Sequence, residues 1–311
     1  MSARVWLGKN ASKQRGIAML ILFIMLFMVG SSVFLTVLNN NVARLQADGS
    51  VQDSLRSARE ALIAFAVLHG DYYGAAGAGP GHLPCPDSNG NGAENIPCNS
   101  ATLGRLPESI TVPGGNIHPL NDDLVGIDQQ LWYAVSPAFR RSTPGVVNTA
   151  SVGGLRLDGR TGLAAVLIAP GEALASQSRP SNNDANYLEA GNAGGPNFVS
   201  NNPADPDNFN DRLIAIHASD ILSPVSARVA ETIKQQLDAY HSSNGQYPPD
   251  SIEYSAAVSS APAWFASNQW ETNSTYTFLT TDTASISFTG CAIVYTLDQT
   301  TPTISRTGYQ C

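Results

Sequence analysis

The hydrophobic pattern of this chain opens with an uncharged run of 22 residues, Ile17 to Leu38. At about 1.5 Å per residue such a run spans roughly 33 Å as a helix, enough to cross a bilayer. Behind it Val51, Leu55, Ala58, Leu62 and Phe65 recur at three- and four-residue spacing, which predicts an amphipathic helix reaching residue 68. Asp48-Gly49-Ser50 breaks the pattern, where a kink or cap is expected. The stripe itself reads as core packing. A second helical pattern starts near Ser219, with Leu222, Val225, Val229, Ile233, Leu237 and Tyr240, and stops at Asn244-Gly245. Leu131–Ser136 and Leu163–Ala169 are short, apolar and bounded by turn residues, and so predict core strands. After the second helix, Thr275–Thr280, Ser285–Phe288, Ala292–Leu297 and Thr303–Thr307 alternate or are rich in β-branched residues, the pattern of an antiparallel meander.

Charge gives the apolar run a direction. Arg4, Lys9, Lys13 and Arg15 precede it, and the first acidic residue is Asp48. Of the 17 basic residues, 13 remain after Gly16 against 25 acidic ones, so this larger part carries about −12. Cations before a span and almost none behind it place the N-terminus in the cytoplasm and the bulk outside. A secretory signal that is cut away has an apolar stretch of roughly 7–15 residues and a small-x-small cleavage site. This run is longer, and Leu35 to Asn41 offers no such site. A chain of 311 residues with 43% apolar and 14% charged residues can bury a core, which argues against a coiled coil or a charge-driven disordered tail. The net charge of −8 argues against a broad basic surface for nucleic acid.

Lys13-Gln14-Arg15-Gly16 followed by Ile17-Ala18-Met19-Leu20 resembles the processing site of type IV pilins and type II secretion pseudopilins. The resemblance implies that a prepilin peptidase cuts after Gly16 and methylates the new amino terminus at Ile17, so that the apolar helix is kept. The sequence departs from the family at the fifth mature position, which is Ile21 where most members carry glutamate. In the family that carboxylate is thought to neutralise the amine of the next subunit, and a buried charge is tolerated only when paired. A subunit at a tip has no neighbour above it. In this respect the chain resembles the K-type pseudopilin and the PilX-type minor pilins, which makes Ile21 a candidate tip determinant. The set Leu83-Pro84-Cys85-Pro86-Asp87, Gly104-Arg105-Leu106-Pro107 and Trp132-Tyr133-Ala134-Val135 resembles a group of prepilin-type proteins. The helix followed by Asn244-Gly245-Gln246-Tyr247-Pro248 resembles the exit of the first helix in pseudopilins, and suggests a weak internal repeat, either two pilin-like heads or one head with a large insertion.

Four cysteines can pair in three ways. Nearest-neighbour pairing, Cys85–Cys98 and Cys291–Cys311, closes loops of about 14 and 21 residues, each worth roughly 3 kcal/mol in the chain-entropy model. The rival zinc site lacks Cys-x-x-Cys spacing and a histidine at ligand distance. Disulfides require an oxidising compartment. Between Cys85 and Cys98, Asp87-x-Asn89-x-Asn91-Gly92, with Glu94 at the eighth place, matches the opening half of a calcium loop. The twelfth place is Cys98, not the bidentate glutamate, and an Asn/Gly-rich turn closing a disulfide loop accounts for the same residues. No catalytic motif stands out: His69, His82, His118, His217 and His241 form no i, i+4 pair, and there is no Gly-x-Ser-x-Gly.

The expected fold class is α+β. A long N-terminal helix, half in the membrane and half amphipathic, packs on an antiparallel sheet, with a loop-rich pilin-like head and a second helix-plus-sheet unit. The expected divisions are a leader (1–16), a transmembrane helix (17–38), its amphipathic extension (39–68), a loop-rich unit (69–218) and a second pilin-like unit (219–311). The resemblance implies a non-enzymatic minor pilin or pseudopilin that primes or caps a type IV pilus or secretion fibre. It would sit as a single-pass protein of the bacterial inner membrane with its head in the periplasm. Its implied partners are the prepilin peptidase, other minor subunits and the inner-membrane assembly platform, with no nucleic acid. No cofactor is expected apart from the candidate calcium ion. The alternative is a membrane-anchored periplasmic binding module for glycan, peptide or calcium.

Overall fold

Strand β6 (Arg160–Ala169) is the hub of the fold, and every side chain from Leu163 onward is buried. Successive side chains of a strand point to opposite faces, so an unbroken apolar run suits a strand covered on both sides. Ala165, Leu167 and Ala169 join one core, whereas Val166 and Ile168 join another. Strand β4 (Trp132–Val135) divides in the same way: Tyr133 and Val135 enter the first core, Trp132 and Ala134 the second. The computed structural model describes residues 49–68, 79–98, 102–112, 115–117, 130–141 and 145–311. In it β6 pairs antiparallel with β4, with β5 (Leu155–Leu157) and with β8 (Arg212–His217). β1 (Leu103–Arg105) adds to β4, and β7 (Asn197–Phe198) runs parallel to β5, completing six strands. β2 (Ile110–Val112) and β3 (Gly115–Ile117) form a separate pair.

Two helices close the first core. Helix α1, described over residues 49–68, buries Leu55, Ala58, Leu62 and Phe65 and exposes Asp53, Arg56 and Glu60. Helix α2 (Ala218–Asn244) buries Ile221, Val225, Val229, Ile233 and Leu237 on one stripe. The main-chain N–H of His217 donates to Asp220 Oδ2 at 2.8 Å at its start. Gly245 ends it in the left-handed region (φ 73°), a conformation that costs glycine nothing, and its N–H returns to the His241 carbonyl. Arg59 ties the two helices by an ion pair of 2.7 Å to Asp220 and a bond to the Ala215 carbonyl.

Beyond α2, three short helices follow: α3 (Ser251–Val258), α4 (Ala263–Ser267) and α5 (Trp270–Asn273). They lead into the meander β9 (Ser274–Phe278), β10 (Thr283–Phe288), β11 (Val294–Asp298) and β12 (Ser305–Thr307). β10 alternates, sending Ala284, Ile286 and Phe288 inward, where they meet Tyr295 and Leu297 of β11. These residues belong to the same core as Leu55, Leu62, Tyr133 and Val225.

Two expectations are corrected here. A long N-terminal helix packing on the sheet is not seen: the longest described helix is α2, internal to the chain, and its apolar residues form one stripe with Glu231, Gln235 and Ala239 exposed opposite. The helix and meander after Ser219 share one core with the strands before them, within a unit running from Val51 to Cys311. The single-pass inner-membrane placement is not supported either, because no helix among the described residues is long and apolar enough to cross a membrane. The leader and the run 17–38, with Gly16, Ile17 and Ile21, lie outside the described residues.

Candidate functional site

Both disulfides are formed as nearest neighbours, Cys85–Cys98 and Cys291–Cys311, and no cysteine among the described residues is free. The first closes a loop organised around one carboxylate. Asp87 Oδ1 accepts the main-chain N–H groups of Asn89 (3.1 Å), Gly90 (2.7 Å) and Asn91 (3.3 Å), and Oδ2 accepts that of Gly92 (2.8 Å). Asn89 Oδ1 and Asn91 Oδ1 repeat the device toward the N–H groups of Asn91 and Ala93. Glu94 is committed elsewhere. Its Oε1 pairs with Arg141 at 2.5 Å, and Oε2 accepts the Cys85 N–H. The side-chain oxygens of Asp87, Asn89, Asn91 and Glu94 are thus taken up by N–H donors or a guanidinium. Among the described residues no group of three or more His, Cys, Asp or Glu could hold a metal ion.

The loop borders a cleft of about 250 Å³ whose walls come from three parts of the chain. Asp87, Ser88 and Gly90 form one wall, Leu103 and Arg105 of β1 with Trp132 of β4 a second, and Asn182 to Asp184 the third. Main-chain bonds between Asp87 and Arg105 run in both directions, at 2.9 and 2.8 Å, and hold the loop against β1. Arg105 Cζ lies 5.9 Å from the Trp132 ring centre and 5.8 Å from that of Tyr187, while Nη2 donates to the Ser181 carbonyl at 2.6 Å. Trp132 and Tyr187 pack on each other with ring centres 5.3 Å apart, so the guanidinium lies beside this pair within cation–π range of both rings. Arg179 lies 4.6 Å from the Tyr187 ring centre and is itself bonded to the carbonyls of Gly171, Asn186 and Tyr187. Gly90 sits at φ 74°, and any side chain there would collide with Arg105 Nη1.

The three sequence segments Leu83–Asp87, Gly104–Pro107 and Trp132–Val135 thus meet at this cleft, through the Asp87–Arg105 bridge and the β1–β4 register that sets Arg105 opposite Trp132. The third wall carries no such sequence mark, since Asn182, Asn183 and Asp184 lie in a polar stretch without periodicity. Their acidic and amide character was the only signal that could have pointed to them.

Other buried polar groups fasten loops. His82 is fully covered, with Nδ1 2.8 Å from the Gly79 carbonyl and Nε2 3.2 Å from that of Gly145, and burial lowers its pKa. Burial raises the pKa of Tyr133, with the Glu94 charge adding to it, and its hydroxyl donates to the Pro84 carbonyl. At the C-terminus the Cys311 N–H donates to Ser223 Oγ, and Ser226 Oγ lies 2.7 Å from the Tyr295 hydroxyl, so α2 holds the disulfide-closed tail against β11. No family model, curated protein or solved structure matches the chain.

Proposed function

We propose that the chain is a minor pilin or pseudopilin, a non-enzymatic subunit that primes or caps a type IV pilus or a type II secretion-like fibre. The observation that carries this reading is the processing motif Lys13-Gln14-Arg15-Gly16 before the uncharged run Ile17–Leu38; the helix described from residue 49 then buries its apolar face in the core. Leu55, Leu62 and Phe65 of the helix described from residue 49 are buried in the core, which fits a subunit whose helix is part of its folded body. Two disulfides suit a subunit exposed outside the cytosol. Ile21, lacking a carboxylate, suits a subunit with no neighbour above it. The partners that follow are the prepilin peptidase, other minor subunits and an assembly platform.

The test is the intact mass of the protein recovered from cells with and without the peptidase. Loss of residues 1–16 and gain of one methyl group at Ile17, only when the peptidase is present, is the expected result. The same unprocessed mass in both strains overturns it.

A further inference from the structure

The cleft between the disulfide loop, β1 and the turn at Asn182–Asp184 is prepared in a way that packing does not require. Its volume of about 250 Å³ lies just below the roughly 300–1,000 Å³ of sites for drug-sized ligands, so it suits a ligand of one small ring. The walls are fixed in advance. The Cys85–Cys98 disulfide and the Asp87–Arg105 main-chain pair hold one side, and the bond from Arg105 to the Ser181 carbonyl, beside the Trp132–Tyr187 pair, holds the other. A ligand entering such a site does not have to order the loops around it.

The chemistry of the lining selects among small ligands. Arg105 spends one N–H on the Ser181 carbonyl, and a guanidinium carries five. Asn182 lines the cleft with an exposed side chain whose Oδ1 stands over Gly90, which leaves its N–H groups to meet a ligand. Asp184 uses Oδ1 on its neighbour's N–H and keeps Oδ2. The Asp87 carboxylate is turned to four main-chain N–H groups. One cation, one carboxylate and a free amide remain, with opposite charges on facing walls. A phosphate would meet Asp184, and a metal cation would meet Arg105. Vicinal hydroxyl groups, which donate and accept at once, satisfy all three without a net charge. Leu103 and the edge of the largely buried Trp132 add an apolar contact.

We propose that this cleft binds a single neutral saccharide unit, held by Arg105, Asn182 and Asp184. The site is independent of fibre assembly, so its failure would leave that reading untouched. The experiment is titration of the full-length protein with glucose, galactose, N-acetylglucosamine and inorganic phosphate, followed by saturation-transfer NMR and calorimetry. At least one sugar should bind saturably, and phosphate should not. Asn182→Ala, whose side chain supports no other residue, should weaken that binding about three- to tenfold at unchanged melting temperature, and Asp184→Asn should act in the same direction. Arg105→Ala should abolish it. Because that variant also loses the Ser181 contact, the Asn182→Ala result decides. Binding of phosphate alone, no saturable binding of any of the three sugars, or sugar binding unchanged in Asn182→Ala would overturn the proposal.

Discussion

Glu189 and Asp211 clasp one another's main chain. The Glu189 N–H donates to Asp211 Oδ2 at 3.0 Å, and the Asp211 N–H donates back to Glu189 Oε2 at 3.1 Å. Both carboxyl groups are buried, and the clasp fixes the long loop between β6 and β8 at the first residue before β8. Asn192 Nδ2 and Gln177 Nε2 complete the arrangement at 2.8 Å each, and Gln177 in turn accepts from Arg179. Burial pushes the Asp211 carboxyl up from its ordinary 3.8 to about 7, with the neighbouring Glu189 charge adding to the rise.

That shift fixes a pH dependence. The folded chain keeps a proton that the unfolded chain releases, so its contribution is complete below about pH 4 and is lost as the pH rises through about 7. Melting temperature measured from pH 4 to 8 should fall more steeply for the native protein than for Asp211→Asn, which cannot titrate. Equal slopes for the two proteins would show that Asp211 is already ionised in the fold.

Glu94 is fully buried as a side chain and paired with Arg141, which is mostly buried. Removing one member leaves the other as an uncompensated charge, so Arg141→Met should destabilise by about 3–5 kcal/mol in urea titration. The double variant with Glu94→Gln should recover part of that loss. If the single variant costs less than about 1 kcal/mol, the pair is effectively solvated.

The C-terminal disulfide spans a sequence separation of 20 residues and anchors the tail that α2 holds through Ser223. The paired substitution Cys291→Ser and Cys311→Ser should cost about 3 kcal/mol. The first disulfide organises the cleft as well, so replacing Cys85 and Cys98 should loosen the Asp87 turn. Increased amide exchange at Gly90 and Gly92 would report it.

Leu62 of α1 lies in the same core as Val225, Ile286 and Tyr295, which come from α2 and the meander. Leu62→Ala should therefore cost about 2–5 kcal/mol and shift one cooperative transition of residues 51–311 as a whole. Two separate transitions, with only the first displaced, would mean that the halves fold independently.

Much of this was readable along the chain, and what was not has physical causes. The stripes Leu55–Phe65 and Leu222–Leu237 announce their helices, because a helix with one buried face repeats its apolar residues every three or four positions. Leu163–Ala169 announces a strand covered on both sides. Asp87, Asn89 and Asn91 left two readings open, since oxygens on alternate residues serve equally well as calcium ligands or as acceptors for the next main-chain N–H groups. Only the folded loop shows that Asp87 is already encircled by donors. That the helix and meander after Ser219 pack into the core of α1 was not legible, because periodicity reports which face is buried and not against what. Arg105, Trp132 and Asn182 meet across the fold, and nothing in their local sequence says so. The clasp between Glu189 and Asp211 was invisible for the same reason.

The central claim is that this chain is a subunit at the end of a fibre, and gold labelling of native fibres tests it most directly. Antibody against the head, applied to fibres sheared from cells that carry the chain at its natural level, should mark one end of a fibre and leave its length bare. Fibres without any label, or labelled along their whole length, would contradict the account.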